Sequence, residues 1–342
     1  MAKVAIVILN WNGIIYLKNF LGVTVTNSSF PEAEIFVADN GSIDGSADWV
    51  ETNFPSVNII RLDKNYGFAG GYNLALQQIS ADYFILLNSD IEVTPGWAGP
   101  LITFMEENPD VASCQPKILS WHKRDYFEHA GAAGGYIDKY GFPFCRGRVF
   151  NNVEKDYGQY DSVKEIFWSS GACMIVRAEA WKRCLGFDAD FFAHMEEIDL
   201  CWRFHRAGLK VFFMPQSVVF HVGGGALPYK SPFKTYLNFR NNLFLLYKNL
   251  PHHRFHTTLF VRKLIDGLAV LLFIFTGKFS HVRSVWRAHI DYYRHLPILK
   301  KQRESMETSS KAEFSNIILN KSAVFEFYIK RNRTFEKLKM NI

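Results

Sequence analysis

The sequence predicts an α/β fold, a mostly parallel central sheet flanked by helices and followed by a basic helical extension. Three observations predict it. Short apolar runs of strand length recur through the first third of the chain. Each is followed by apolar residues at helical spacing, and each ends in a polar loop. In a parallel sheet the strands read as continuous hydrophobic runs and ligands bind beyond their carboxyl ends, so these loops are where a site is expected.

The first run, Val4-Ala5-Ile6-Val7-Ile8-Leu9, meets Asn10-Trp11-Asn12-Gly13, after which Ile14, Leu17, Phe20 and Leu21 share a helical face. The second, Glu34 to Ala38, ends in Asp39-Asn40-Gly41-Ser42, and Asp44-Gly45-Ser46 leads into the next helix. The third, Asn58 to Leu62, precedes Asn65-Tyr66-Gly67-Phe68-Ala69-Gly70-Gly71-Tyr72-Asn73, which opens a helix through Ala75, Leu76 and Ile79. The fourth, Tyr83 to Leu87, stops at Asn88-Ser89-Asp90, and Thr94-Pro95 reads as an N-cap with proline at the first helical position. Residues 111 to 193 are less regular. Strands at Val111 to Leu119 and Ala172 to Arg177 enclose a long stretch around Gly134-Gly135 and Tyr136 to Val149, and loops of such length in a compact domain are usually functional. Short strands follow at Val211 to Met214 and Val218 to Phe220. An amphipathic helix with Arg240-Asn241-Asn242 on its polar side then runs to Leu250, and Pro251 divides a body, 1–250, from an extension, 251–342.

A chain of 342 residues with 48% hydrophobic content buries a large core, which excludes disorder as the default. Its five cysteines show no C-x-x-C pairing, so neither a disulfide framework nor a zinc knuckle is expected and a reducing compartment fits. Met-Ala-Lys passes directly into a strand without the features of a secretory leader, which predicts a cytoplasmic protein. Charge is uneven. Up to Leu250, 22 Lys and Arg stand against 26 Asp and Glu; from Pro251 onward 17 stand against 7. A basic, aromatic-rich tail suits an anionic surface. No nucleic-acid-binding motif accompanies it, which favours peripheral contact with a membrane.

Asp90, at a strand end, is a candidate ligand for a hard divalent cation carrying a diphosphate. Asp39 can accept from a base imide or a ribose hydroxyl, and the loop glycines allow close backbone approach. Any one of these loops reads equally well as a turn; their recurrence at successive strand ends points to a shared crevice. Neither G-x-G-x-x-G nor G-x-x-x-x-G-K-[ST] is present, so the ordinary dinucleotide and P-loop readings lose their support. A second constellation, His194-Met195-Glu196-Glu197-Ile198-Asp199 with Arg203, gathers carboxylates at a helix start. The helix dipole and an Asp199–Arg203 pair at i,i+4 explain one or two of the three. Arg146 and Arg148 flank Gly147, either as surface residues or bracketing a phosphate, and Trp168-Ser169-Ser170-Gly171 could line a sugar pocket. His221 ends a strand ahead of Gly223-Gly224-Gly225.

The segments VAIVILNWNG, VADNGSIDGS, NYGFAGGYN and LLNSD stand in the order typical of family 2 glycosyltransferases, and residues 3 to 250 resemble the bacterial rhamnosyltransferase-like branch. The resemblance implies the GT-A nucleotide-diphospho-sugar transferase fold. It also implies inverting transfer of a sugar, with dTDP-rhamnose favoured, from a nucleoside-diphosphate donor to a glycan or polyprenyl-linked acceptor in cell-surface polysaccharide synthesis. The family's Asp-x-Asp metal motif here reads Asn88-Ser89-Asp90, so a divalent Mg or Mn ion would rest on Asp90, with His221 as the second ligand. The family's carboxylate pair maps onto Glu196 and Glu197, with Glu197 the general base and Glu196 the fallback. Asn10, Asp39, Asn40, Asn65, Gly67, Phe68, Asn73, Asn88 and Ser89 would hold the nucleotide sugar. Two alternatives stay open. A nucleotide-sugar pyrophosphorylase would be expected to carry a glycine-rich basic loop where this chain has Asn10-Trp11-Asn12-Gly13, and a noncatalytic nucleotide-sugar-binding protein has no need of Glu197 or His221.

In the extension, Leu268 to Phe275 is wholly apolar but too short to span a bilayer, and Arg262, Lys263 and Asp266 precede it. With Lys278, Arg283, Arg287 and Arg294 following among aromatic residues, it reads equally as an interfacial helix, held peripherally at the cytoplasmic membrane face, or as a helix packed on the body. From about Lys300 the chain carries no functional signal.

Overall fold

The computed structural model describes residues 3–223, 231–307 and 315–340. Strands β1 (Val4–Asn10), β2 (Ala33–Asp39), β3 (Asn58–Arg61) and β4 (Tyr83–Asn88) alternate with helices α1 (Ile14–Asn27), α2 (Ser46–Asn53) and α3 (Gly67–Leu76). They pair in parallel in the order β3-β2-β1-β4. The central β1 and β4 are buried almost throughout because helices cover both faces, which is why they read as unbroken apolar runs. Strands added on opposite sides of β1 make a topological switch point, and a crevice opens beyond the carboxyl ends of β1 and β4.

Beyond β4 the sheet becomes mixed. The chain continues through β5 (Ile91–Val93), α4 (Ala98–Glu107), β6 (Val111–Ser120), β7 (Gly135–Asp138), β8 (Pro143–Cys145), β9 (Arg148–Val149), β10 (Asn152–Val153), β11 (Lys164–Glu165), β12 (Cys173–Arg177), α5 (Ala178–Arg183), α6 (Glu196–Arg206) and β13 (Lys210–His221). β12 runs antiparallel between β4 and β6, β13 lies parallel to β6, and β5 and β11 pair antiparallel with β13. The irregular stretch after β6 makes a second sheet, ordered β10-β9-β8-β7-β14, where β14 is Ile318–Leu319.

Two local expectations need correction. α4 begins at Ala98, not beside Thr94-Pro95, because the Thr94 hydroxyl donates to the Val218 carbonyl (2.8 Å) and fastens β5 to β13 instead of capping a helix. The two short strands expected over 211–220 are one strand, β13, with a register shift between Met214 and Val218. Pro215, which has no N–H to give the ladder, lies within that shift.

The C-terminal part comprises α7 (Pro232–Asn249), α8 (His252–Phe275), α9 (Phe279–Glu307) and α10 (Ala323–Tyr328). Ser231 caps α7 by accepting from the Lys234 N–H (3.1 Å), with Pro232 in the first turn. Asn241 and Asn242, expected on its polar side, are buried clamps. Asn241 donates to the carbonyls of Phe191, Ala193 and His194, and Asn242 donates to that of Gly141. α8 divides. Thr258, Leu259, Arg262 and Asp266 are buried, whereas nothing from Gly267 to Phe275 is, so the packed-helix reading holds for its first half alone. Among the described residues no helix is long and apolar enough to cross a membrane. The last segment, silent in the sequence, returns to the body. β14 pairs with β7, and Phe335 packs against Tyr136, Phe144 and Tyr160.

Candidate active site

A cleft of about 840 Å³ opens beyond the carboxyl ends of β1, β4 and β13, against the starts of α6 and α7. Asn40, Asn65, Gly67, Phe68, Asn88, Ser89, Asp90, Glu196, Glu197 and His221 line it. Residues from five separate stretches of sequence therefore share one cavity.

Asn10 and Asp39 stand behind the cleft wall. The buried Asn10 amide donates to Asp39 (3.2 Å), Ser42 (3.2 Å) and Ser46 (2.8 Å), and Asp39 also accepts from the Ser42 N–H. The pair shapes the loops after β1 and β2. Asn40 ties β2 to the next loop, donating to the Gly67 carbonyl (2.9 Å) and accepting from the Tyr66 N–H (3.0 Å). Gly67 has φ of 73°, and a Cβ there would meet the Phe192 ring at 2.5 Å. The N–H groups of Phe68 and Ala69 donate to the Phe192 carbonyl (2.7 and 3.1 Å), so a main-chain oxygen caps the start of α3. Asn73 lies outside the cleft wall. Its amide donates to the Phe187 carbonyl (2.7 Å) and accepts from the Phe187 N–H (3.0 Å), so both polar atoms hold the segment ahead of α6.

Asp90 and His221 meet at the carboxyl ends of β4 and β13. His221 Nε2 lies 3.1 Å from Asp90 Oδ1, His221 Nδ1 lies 3.0 Å from Glu128 Oε2, and the Gly223 N–H donates to the other Asp90 oxygen. Burial alone would depress the imidazole, but the two flanking carboxylates lift it to about 10. The same proton holds the buried Glu128 at about 2. A cation is thus favoured between these acceptors, either a proton or a metal. One carboxylate and one imidazole, the latter oriented from behind by Glu128, form a donor set that suits Mn²⁺ or Mg²⁺. No group of three or more such side chains converges on a metal point among the described residues, so the remaining positions would fall to oxygen ligands from outside the chain. Gly224 and Gly225 lie outside the described residues.

The carboxylate pair is aimed by strained backbone. Phe192, His194 and Met195 have φ of 63°, 70° and 75°, in the left-handed region that side chains avoid, and α6 starts immediately afterwards. Glu196 is buried and Glu197 half-buried. One carboxylate oxygen of each has no hydrogen-bond partner among the described residues, and the same is true of His194 Nε2 and Arg148 Nε, which also border the cleft. Burial raises Glu197 to about 7, and burial together with the Glu197 charge drives Glu196 well above the carboxylate range. Asp199 differs. Although buried, it is held near 2 by Lys248 and Arg203, with Asn249 donating a further hydrogen bond, and is therefore structural.

Two cleft residues, His129 and Lys234, and Glu128 behind His221 escaped sequence reasoning. Glu128 and His129 sit in the irregular stretch, where no periodicity marks a face, and Lys234 opens a helix that reads as ordinary. Of the two arginines flanking Gly147, only Arg148 borders the cleft. Arg146 is buried behind it, donating to the Ala133 carbonyl (2.9 Å) and lying 4.8 Å over the Phe213 ring. Trp168, Ser170 and Gly171 form part of the wall, while Ser169 turns inward to Ser113. At the mouth, Phe150 meets Tyr328 of α10, with ring centroids 5.7 Å apart, so the C-terminal segment contributes to the cleft.

Comparison with known proteins bears on this geometry. The model of the family described as glycosyl transferase family 2 matches residues 6–185. The chain is 24% identical over 220 residues to the N-acetylglucosaminyl-diphospho-decaprenol L-rhamnosyltransferase of Mycobacterium tuberculosis, covering 60% of this chain and 71% of the relative. Among solved structures, GalNAc-T7 with UDP, GalNAc and Mn²⁺ superposes with a TM-score of 0.56 at 15% identity, over 72% of this chain and 48% of that one. The chain thus spans about half of GalNAc-T7. A mannosyltransferase from Pyrobaculum calidifontis, in complex with GDP-Man and Mn²⁺, superposes with a TM-score of 0.50 at 12% identity, over 90% of this chain and 84% of its own. At such identities the structural likenesses speak for the fold, which is that of GT-A transferases.

Proposed function

We propose that this chain, which belongs to glycosyl transferase family 2 and is a nucleotide-sugar-dependent glycosyltransferase, inverts the sugar it transfers and uses Glu197 as general base. The observation that carries this reading is a half-buried carboxylate, raised to about 7 and with an oxygen lacking a partner among the described residues, in the same cleft as Asp90 and His221. Glu197 takes the proton of the acceptor hydroxyl as that oxygen attacks the anomeric carbon. The bond from that carbon to the diphosphate oxygen breaks, and the nucleoside diphosphate departs. Glu196, buried beside it and likewise raised well above the carboxylate range, is the second carboxylate of the pair.

Asp90 and His221 would hold Mg²⁺ or Mn²⁺, whose charge would offset the departing diphosphate. Arg148 and Lys234, both bordering the cleft, add positive charge from the chain itself. Asn40, Asn65, Gly67 and Phe68 stand on the side of the cleft fed by β2 and β3, where we assign the nucleotide. Asn10 and Asp39 keep those loops in shape from behind. A noncatalytic binding protein would have no use for a carboxylate tuned toward neutrality beside this cluster.

For the donor we favour dTDP-rhamnose. For the acceptor we favour a polyprenyl-linked glycan at the cytoplasmic membrane face, in keeping with the decaprenol-linked acceptor in the name of the mycobacterial relative. A panel of nucleotide sugars, incubated with the protein and Mn²⁺, tests this. The reading predicts slow hydrolysis of dTDP-rhamnose and faster turnover when a lipid-linked acceptor is added. Turnover of another nucleotide sugar alone would overturn the donor assignment, and no turnover of any would overturn the catalytic one.

A further inference from the structure

Among the described residues the second half of α8 packs along one side alone, where Ala269, Val270 and Phe273 are half-buried and the Phe273 ring meets His281 of α9 (5.2 Å). Phe260, Leu264, Leu268, Leu271 and Phe275 recur at four-, four-, three- and four-residue steps along one face, and with Leu272 they are 49–85% exposed. From Leu268 to Phe275 every residue is apolar and none is buried. Apart from the side turned to α9, the helix is therefore apolar over its whole exposed width here, with no polar flank from Leu268 to Phe275. A seam between two copies of the chain would need a single apolar stripe with polar flanks. An apolar surface without polar flanks calls for surroundings that are apolar across its whole exposed width.

The charges beside it settle which surroundings. The turn at Thr276-Gly277-Lys278 leads into α9, where Phe279 and Trp286 are again exposed, Trp286 by 72%. Lys278 and Arg283 are exposed and make no ion pair among the described residues, while Arg287 and Arg294 share Asp291. We infer that the α8–α9 hairpin tip is a membrane-docking element that inserts the end of α8 shallowly into an anionic leaflet, with Lys278 and Arg283 at the lipid headgroups. Interfacial helices of this kind bury their apolar residues at the headgroup–acyl boundary without spanning, in keeping with a chain whose described helices cannot cross. The buried half of α8 is held to the body by Arg262, which donates to Asn242 of α7 and lies 4.2 Å over the Phe142 ring, while Asp266 meets His289 of α9 (3.1 Å). The inference deepens the proposed function, resting on its membrane-borne acceptor for purpose but on exposed residues alone for its geometry.

The experiment is co-sedimentation of the full chain with vesicles of phosphatidylglycerol and phosphatidylcholine, compared with phosphatidylcholine alone. Binding is expected to the anionic vesicles, weakened but not abolished on going from about 0.1 M to about 1 M salt, as the screening length shrinks to a few ångströms. Leu271→Glu with Phe275→Glu, both exposed, should lower partitioning by about tenfold or more while leaving nucleotide-sugar hydrolysis unchanged. Trp286 emission should be quenched by brominated lipid in the parent protein, a signal lost in Trp286→Phe. Equal partitioning of the parent and the double variant overturns the inference, as does a parent that ignores anionic vesicles. A stable dimer in solution that the double variant dissociates, without vesicle binding by either, assigns the face to a second copy instead. Failure of hydrolysis with every nucleotide sugar would strike the catalytic reading and leave the vesicle result standing.

Discussion

Replacing Glu197 with Gln should make the protein slower and more stable at once, and the stability gain should depend on pH. Burial raises this carboxyl from its ordinary 4.5 to about 7. A raised folded-state value means that the folded chain binds the proton more tightly than the unfolded one. The stabilising contribution is therefore complete below the ordinary value and is lost as pH rises through about 7. At pH 8 the charged carboxylate in the cleft costs about 3 kcal/mol relative to the unfolded chain, whereas at pH 5, where the folded chain holds the proton, the cost of taking it up is about 1 kcal/mol. Glutamine carries no charge and removes the cost. Unfolding entropy scales with chain length, so a gain of that size corresponds to a midpoint about 4 °C higher at pH 8 and about 1 °C higher at pH 5. In the same variant kcat should fall by about two to four powers of ten with donor binding nearly unchanged, and the acid limb of the pH–rate profile near neutrality should vanish. Differential scanning calorimetry at the two pH values and steady-state kinetics measure both effects. A midpoint shift of the same size at pH 5 and pH 8 refutes burial as the cause of the raised carboxyl. A heavier loss of kcat in Glu196→Gln refutes the base assignment.

Asp90→Asn should abolish transfer while leaving the fold intact, and excess EDTA should do the same to the parent enzyme until Mn²⁺ is restored; full turnover in EDTA would exclude a metal at Asp90 and His221. Gly67→Ala should weaken donor binding and lower the unfolding midpoint, because the residue is at φ of 73° and its new methyl would meet Phe192; an unchanged calorimetric scan and donor Kd would contradict the packing described. Tyr328→Ala, at 59% exposure on the cleft mouth, should raise acceptor KM by about tenfold through loss of an aromatic surface for the sugar while donor hydrolysis stays the same. Parallel loss of donor hydrolysis would show that α10 supports the fold rather than the acceptor.

What the sequence revealed and what it hid divide along physical lines. β1 and β4 were legible because a strand buried on both faces has to be apolar throughout, and the loops after β1 to β4 were legible because they carry polar residues and glycines. The carboxylates at α6 were visible but not separable. Only the structure distinguishes Asp199, paired with Lys248 and Arg203, from Glu196 and Glu197, each with an oxygen that has no partner among the described residues. Asn241 and Asn242 misled because a polar residue at helical spacing reads as solvent-facing, yet both donate to buried carbonyls of other segments. Glu128 could not be found in advance. Its significance lies wholly in a contact to His221 across the fold, and pairings so distant leave no local pattern.

Phe192 links these observations mechanically. Its carbonyl caps α3 through the N–H groups of Phe68 and Ala69, its ring closes on Gly67, and its backbone begins the left-handed run that turns the chain into α6 at Glu196. Strained backbone of this kind persists only where surrounding contacts over-determine it. Here Asn241 holds the carbonyls of Phe191, Ala193 and His194, while Arg240 holds those of Asp190 and Phe191. The glycine loop assigned to the nucleotide and the carboxylate assigned as base therefore rest on the same few peptide units. A ligand that shifts the start of α3 has to move Phe192 or break its cap, and moving Phe192 turns the residues that aim Glu197. The expected outcome is that donor binding shifts the environment of Glu197, read as a change in the acid limb of its pH–rate profile in Gly67→Ala; an unchanged limb would refute coupling through these main-chain hydrogen bonds.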